Sequence, residues 1–161
     1  MFNFLKKDKI VISAPLSGEV VALDAVPDQA FSSGVLGPGV AIQPSVGRVN
    51  APSDANVDTM FDTKHAVSLV TTDGVELLIH VGMDTVTLNG KHFTTFKNTG
   101  DDVKRGDELI EFDMDAIAAE GFKTVTPVVV CNLDDFSEIT FTTATHVEAG
   151  DDLMYLVKKN N

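Results

Sequence analysis

Short runs in which apolar and polar residues alternate, separated by turn residues, predict β-strands along nearly the whole chain. The clearest hairpin signal is Asp73-Gly74, because Asp-Gly favours the tight turns that join antiparallel strands. It separates two predicted strands, His65–Thr71 and Val75–Val81. The other predicted strands are Ile10–Ser13, Gly18–Leu23, Val40–Pro44, Gly47–Ala51, Val57–Phe61, His92–Phe96, Leu109–Phe112, Val125–Asn132, Ile139–Thr143 and Leu153–Val157.

Helix is predicted at one place only, Met114–Ala119, where Gly121 is the expected stop. Short strands with almost no helix between them favour an all-β antiparallel sandwich or barrel with one or two short helical turns. Ala14–Leu23 and Ala51–Phe61 share a pattern of small residue, proline, turn and strand, which favours a duplicated hybrid architecture. We expect a flexible N-terminal segment over residues 1–9 and a single domain over residues 10–161.

The chain of 161 residues has a formal net charge of −12, from 24 acidic and 12 basic residues. Such a surface repels the phosphates of nucleic acid, so we expect no nucleic-acid ligand. The charge would steer a basic protein partner, although it is equally compatible with a role in solubility alone. The single cysteine, Cys131, excludes an internal disulfide, and its apolar surroundings predict a buried, unreactive thiol.

The first nine residues, Met1–Lys9, place apolar side chains ahead of lysines. Such a segment can make weak contact with an anionic membrane surface, and the alternative is a frayed terminus. It lacks the apolar core of a secretory signal, and no stretch of the sequence is apolar enough to span a bilayer. We therefore expect a cytoplasmic protein, with peripheral contact at the inner face of the membrane left open.

Two of the four histidines, His65 and His80, lie on the two strands that the Asp73-Gly74 turn joins. Counting from the turn places them within about two registers of each other, so that their rings can meet. Two neutral imidazoles suit phosphoryl transfer, because one nitrogen can attack phosphorus while the other ring donates to a phosphoryl oxygen. The apolar residues before His80, and Gly82 after it, indicate a shallow docking surface rather than a deep pocket.

Other interpretations of the histidine pair stay open at this point. Each ring could be a structural residue, and neutral imidazoles are also zinc ligands, so a zinc-dependent hydrolase on a related fold is an alternative. The sequence contains no HExxH or HxH motif and no second cysteine, which disfavours zinc. It also lacks a nucleophile elbow, a P-loop and a dinucleotide-binding motif. His92 and His146 are expected to be loop or strand-edge residues.

The sequence resembles a known family over nearly its whole length. The segment FDTKHAVSLVTTDGVELLIHVGMDTVTLNGKHF, Phe61–Phe93, is similar to the core signature of glucose-type enzyme IIA domains of the bacterial sugar phosphotransferase system. The similarity runs from about Ile10 to Lys158, and its most specific part is the motif HVGMDTV that begins at His80. The resemblance implies an antiparallel β-sandwich of the duplicated hybrid kind, a phosphocarrier activity, and no metal or organic cofactor.

The resemblance also implies roles for individual residues around the histidine pair. His80 resembles the phosphorylated histidine, His65 the partner that hydrogen-bonds the phosphoryl group, and Thr63 the threonine that supports this partner. Two carboxylates, Asp28 and Asp84, resemble groups that meet a basic donor protein. The positions that resemble the apolar docking face are Phe31, Leu36, Phe61, Leu78 and Val86.

A relay between proteins follows from the same resemblance. The donor would be HPr, a carrier phosphorylated on histidine, and the acceptor would be a cysteine on the IIB domain of a membrane sugar permease. An alternative within the family is a regulatory binding protein, which signals sugar status to target proteins through its phosphorylation state.

Overall fold

The computed structural model describes residues 9–160, in which β-strands make up most of the regular structure. In chain order the strands are β1 (Lys9–Ser13), β2 (Gly18–Ala22), β3 (Gly39–Pro44), β4 (Arg48–Asn50), β5 (Ala55–Met60), β6 (Ala66–Thr71), β7 (Glu76–His80), β8 (Phe93–Thr95), β9 (Asp102–Val103), β10 (Glu108–Phe112), β11 (Thr126–Val130), β12 (Phe136–Phe141), β13 (His146–Val147) and β14 (Asp152–Lys158).

These strands form three antiparallel sheets. The largest has eight strands in the order β13-β2-β3-β11-β7-β6-β5-β9, and two three-stranded sheets have the orders β1-β14-β12 and β4-β10-β8. The hairpin β6–β7 pairs Ala66 with His80 and Val70 with Glu76, so the predicted hairpin is confirmed. The predicted all-β antiparallel sandwich is confirmed as well, with strand bounds that differ from the expected ones by a few residues at most positions.

Within residues 9–160, two short α-helices interrupt the strands, α1 (Gln29–Ser32) and α2 (Met114–Ala119). Each begins after an aspartate whose carboxylate accepts a backbone N–H, Asp28 from Ala30 at 2.9 Å and Asp113 from Ala116 at 3.0 Å. The second helix has the bounds that the sequence predicted, whereas α1 was not predicted. Single 3₁₀ turns occupy Leu23–Ala25, Thr85–Leu88 and Leu133–Asp135.

The large sheet separates two apolar clusters. The main core contains the inward-facing residues of β7, Leu77 and Ile79, which are 1% and 0% exposed. The opposite face of the sheet carries a second cluster, whose buried members are Val26, Phe31, Ala41, Met83, Val125 and Val129. Strand β11 lies between β3 and β7 and is buried along its whole length, because it contributes side chains to both clusters.

The structure corrects the expectation for Cys131. Its side chain is exposed, because Cys131 lies one residue beyond the end of β11 at Val130, although the apolar run continues in the sequence. Burial of part of the thiol, followed by the charge of Glu76, raises its pKa. The low reactivity of the thiol stays a prediction.

The N-terminal segment proposed for membrane contact, Met1–Lys9, lies outside the described residues except for Lys9. Lys9 belongs to β1 and pairs with Val157 of β14, so this strand includes one residue more at its start than the predicted strand Ile10–Ser13. Within residues 9–160, no helix combines the length and apolar character needed to cross a membrane.

Candidate active site

The alternation of side chains along β7 places His80 on the face away from the main core. Leu77 and Ile79 face that core, so Leu78 and His80 lie on the side of the second cluster. The residue opposite His80 on β6 is Ala66, whose small side chain leaves room for an imidazole ring. His80 is the last residue of its strand and remains partly exposed.

The loop that follows β7 fixes one nitrogen of His80. The Nδ1 atom lies 2.9 Å from the carbonyl oxygen of Gly82, and a carbonyl can only accept, so Nδ1 carries the proton. In the neutral ring Nε2 is then unprotonated and has a free lone pair. The hydrogen bond to Gly82 thus selects the His80 tautomer that is protonated on Nδ1.

Gly82 is required for this loop in two ways. Its φ angle of +78° lies in the left-handed region, which side chains disfavour. A Cβ atom would lie 2.6 Å from Cγ2 of Thr85 and 2.8 Å from the carbonyl oxygen of Lys123. That same carbonyl accepts the N–H of Met83 at 3.0 Å, and the Thr85 hydroxyl donates to the carbonyl of Val81. The loop is therefore restrained by hydrogen bonds to two carbonyls, that of Lys123 and that of Val81.

A tight turn before β6 brings His65 to the same place. Lys64 has a φ angle of +63°, and its N–H donates to the carbonyl of Phe61 at 2.8 Å. The turn places Oγ1 of Thr63 2.8 Å from Nδ1 of His65. The carbonyl of His65 accepts the N–H of Val81 at 2.7 Å, which holds the residue beside the end of β7.

Four rings form a row across the site. The centroids of His65 and His80 are 4.7 Å apart with an interplanar angle of 88°, so the two imidazoles do meet as the hairpin register predicted. Phe31 lies 5.1 Å from His80, and Phe61 lies 5.9 Å from His65. We call Phe31, His80, His65 and Phe61 the ring row.

Both imidazoles of the ring row are held neutral at physiological pH. His65 is only 3% exposed, and burial, followed by the proximity of His80, lowers its pKa to about 4. Burial also lowers the pKa of His80, while the hydrogen bond to Gly82 and the charges of Asp28 and Asp84 oppose the shift. A neutral ring with an available lone pair is the form in which histidine is a nucleophile.

The two carboxylates expected to meet a donor protein lie near His80, since the charges of both act on its ring. Asp28 is partly exposed and caps α1, and Asp84 is exposed at the start of a 3₁₀ turn. Asp84 has a left-handed φ angle of +60°, a conformation that was not predicted. Asp84 lies in the same loop as Gly82, two residues further along the chain.

The five apolar positions expected to form a docking face differ in exposure. Leu36, Phe61 and Val86 are 38%, 37% and 49% exposed, whereas Leu78 is half-buried against the second cluster. Phe31 departs from the expectation, because at 3% exposure it offers a partner almost no surface. The cause is helix α1, which directs Phe31 into the second cluster and against His80.

The remaining histidines lie in other surroundings. His92 precedes β8 and pairs with Glu120, and His146 lies in β13 with its Nε2 2.6 Å from Oε2 of Glu148. Across residues 9–160, no three or more His, Cys, Asp or Glu side chains converge as ligands for a metal ion. Two imidazoles fall short of the larger protein ligand sets of zinc sites, which disfavours the zinc alternative.

Sequence reasoning missed two contributors to the site. The carbonyl of Lys123 supports the loop through the N–H of Met83, and no sequence signal marks a backbone carbonyl. Ala66 provides space opposite His80, and the only available signal was a small residue directly after His65 in the hairpin.

Comparison with known proteins shows which family the chain is similar to. A family model described as "phosphoenolpyruvate-dependent sugar phosphotransferase system, EIIA 1" matches residues 10–136. Two curated relatives, each a "PTS system beta-glucoside-specific EIIBCA component", come from Halalkalibacterium halodurans and Dickeya chrysanthemi. Each is 44% identical over 151 residues, which cover 94% of this chain but only 24% of the relative. The chain thus spans about a quarter of their length.

A solved structure gives the same result for the fold. Glucose permease IIA from Mycoplasma capricolum matches with a TM-score of 0.86 and 32% identity, over 91% of this chain and 95% of that chain. These matches support phosphotransfer and do not favour a purely regulatory binding protein. The chain therefore belongs to the EIIA 1 family of the phosphoenolpyruvate-dependent sugar phosphotransferase system.

Proposed function

We propose that His80 is the phosphoryl-accepting histidine and that its Nε2 atom is the nucleophile. The observation that carries this assignment is the 2.9 Å hydrogen bond from Nδ1 to the carbonyl of Gly82, which leaves the lone pair on Nε2. Burial supports the role, because it disfavours the protonated ring, which has no lone pair to offer.

His65 is the hydrogen-bond donor to the transferred group in this proposal. If the hydroxyl of Thr63 donates to Nδ1 of His65, the ring carries its single proton on Nε2 and can donate it to a phosphoryl oxygen. The lowered pKa of His65 keeps this one-proton form throughout the physiological range. The donor is in place before the reaction, so little reorganisation is needed as charge develops on the phosphoryl oxygens.

The relay has two balanced steps. Nε2 of His80 attacks the phosphorus of a phosphohistidine on HPr, and the N–P bond of HPr breaks with its electron pair returning to the HPr imidazole. In the second step a cysteine thiolate on a IIB domain attacks the same phosphorus. An S–P bond forms, and the electron pair of the breaking N–P bond returns to Nε2 of His80.

The partners are inferred from chemistry and from the relatives. A surface of net charge −12, with Asp28 and Asp84 beside the ring row, suits a basic face on HPr. The exposed side chains of Leu36, Phe61 and Val86 would supply apolar contacts. The relatives named EIIBCA components support a IIB acceptor. Their name favours a permease of the β-glucoside class, and we propose that residues 10–161 serve it as one domain.

Intact mass measurement tests the proposal directly. The protein is incubated with phosphoenolpyruvate, enzyme I and HPr, and we expect it to gain one phosphoryl group that is labile in acid and stable in base. The His80→Ala variant should gain none, whereas His146→Ala, which removes an exposed histidine of β13, should be labelled like wild type. Full labelling of His80→Ala would show that another residue is the acceptor.

A further inference from the structure

Phe31 stands apart from the other apolar residues near the histidine pair. It is 3% exposed, while Leu36, Phe61 and Val86 are each more than a third exposed. Its ring lies 5.1 Å from the His80 ring, tilted by 57°. Since an association face gains its free energy from surface that a partner covers, Phe31 has little to contribute to docking.

The position of Phe31 is fixed before any partner arrives. Asp28 caps the first turn of α1 and also accepts the N–H of Ser32 through its carbonyl at 2.9 Å. The turn closes when the carbonyl of Phe31 accepts the N–H of Gly34 at 3.0 Å. The side chain is packed in the second cluster, which the central strand β11 supports from beneath through Val129. Helix α1 and the second cluster thus hold the Phe31 ring against the His80 imidazole.

The His80 ring is restrained at three places by neighbours of different kinds. Gly82 holds Nδ1 by a hydrogen bond, His65 lies at 4.7 Å edge-on, and Phe31 lies at 5.1 Å. A single hydrogen bond fixes an atom but allows the ring to tilt about it. Contact with a packed phenyl ring restricts this tilt, and the tilt decides where the Nε2 lone pair is directed.

We propose that Phe31 is a positioning residue for phosphoryl transfer, which holds the His80 imidazole beside His65 with Nε2 directed outward, and that it is not a docking contact. This inference rests on the proposed function of His80. The contact also removes water from the imidazole. The charges of Asp28 and Asp84 act on His80, and the titratable group that contacts its ring is His65.

Two variants and a matched control test the inference. Phe31→Ala removes the ring, and Phe31→Leu keeps much of the apolar volume, so that the second variant remains measurable should the first unfold. The control is Phe136→Leu, which removes an equally buried ring, 4% exposed, from the main core at β12. Two readouts are used: the pKa of His80 by NMR titration of its ring, and kcat and KM for phosphoryl transfer from phospho-HPr.

If Phe31 positions His80, the Phe31→Ala variant should lower kcat by about tenfold while KM for phospho-HPr changes by less than about threefold. The pKa of His80 should rise, because the ring becomes hydrated while Asp28 and Asp84 still favour its protonated form. Phe31→Leu should restore part of both quantities. Phe136→Leu should lower stability without changing either of them.

A raised KM with an unchanged kcat and an unchanged His80 pKa would overturn the inference and identify Phe31 as a docking contact. The same changes in Phe136→Leu would overturn it too, since a general loss of packing would then explain them. Failure of wild type to accept a phosphoryl group would refute the proposed function instead. The pKa comparison, which needs no partner, would still decide whether Phe31 restrains His80.

Discussion

The two faces of strand β7 have different tasks. Leu77 and Ile79, which face the main core, are almost completely buried, whereas Leu78 and His80, on the other face, are partly exposed beside the smaller cluster. Because successive side chains of a strand point to opposite faces, the residues that stabilise the fold lie on one face and the histidine proposed to react lies on the other. The comparison teaches that substitutions on one face should affect mainly stability, and those on the other mainly the chemistry.

The largest effect is expected on the core face. Ile79→Ala should lower the free energy of unfolding by about 4 kcal/mol, because it removes buried methyl groups and leaves a cavity. Leu78→Ala, on the half-buried face, should cost clearly less. Urea denaturation measures both. Equal losses for the two variants would contradict the division between the faces.

The free energy of unfolding should decrease at acidic pH, because the reactive face, the side of β7 on which His80 and His65 meet, contains imidazoles that are held neutral. The folded-state pKa of His65, about 4, is below the ordinary 6.5, so the unfolded chain binds this proton more readily. The contribution of neutral His65 is complete above pH 6.5 and is lost as pH falls from 6.5 to 4, at most about 3 kcal/mol. His80, whose pKa is also lowered, acts in the same direction.

Urea denaturation at several pH values between 7 and 4 gives this dependence, and His65→Gln provides the control, because glutamine does not titrate. The variant should lose less stability than wild type across that range. Parallel curves for the two proteins would mean that His65 keeps an ordinary pKa in the fold.

Removal of the second imidazole should separate the two half-reactions. In His65→Gln the amide can still donate to a phosphoryl oxygen, so we expect His80 to accept phosphate from HPr. Onward transfer to IIB should slow by roughly 10²-fold, because the partner imidazole helps the phosphoryl group leave His80 and the loss of one such transition-state interaction usually has an effect of this size. Single-turnover measurements of each step provide the test. The division of roles between His65 and His80 is wrong if both steps slow equally.

The smallest effect is expected at the rim of the reactive face. Asp84→Asn should weaken the encounter with HPr at low ionic strength and leave the saturated rate within about threefold of wild type, because an exposed carboxylate acts mainly on association. Stopped-flow rates over a salt series measure this. An unchanged salt dependence would argue against steering by Asp84, and a collapse of the saturated rate would place it among the groups that act on the reaction.

The features that could be predicted from the sequence are those set by local chemistry. Asp73-Gly74 favours a tight turn, and alternation on either side determines the register, so the meeting of His65 and His80 followed from counting. The helix Met114–Ala119 was equally clear, because it has helix-forming residues and a glycine stop.

The features that escaped prediction depend on contacts between distant segments or on backbone conformation. Helix α1 is a single turn, too short for any periodicity, and it is stabilised by the Asp28 cap and the burial of Phe31. The left-handed conformation of Lys64, which turns Thr63 toward His65, has no signature in a lysine. Cys131 was misplaced because an apolar run does not reveal where pairing with neighbouring strands ends.

The order of strands in the large sheet has a consequence for synthesis on the ribosome. Strand β7 lies between β6, its neighbour in the sequence, and β11, which follows about fifty residues later along the chain. A nascent chain that has released only the hairpin carries both histidines but lacks the Lys123 carbonyl under the loop and Val129 beneath Phe31. Competence to accept phosphate should therefore be acquired only once Val130 has left the exit tunnel, well after the hairpin itself has been released.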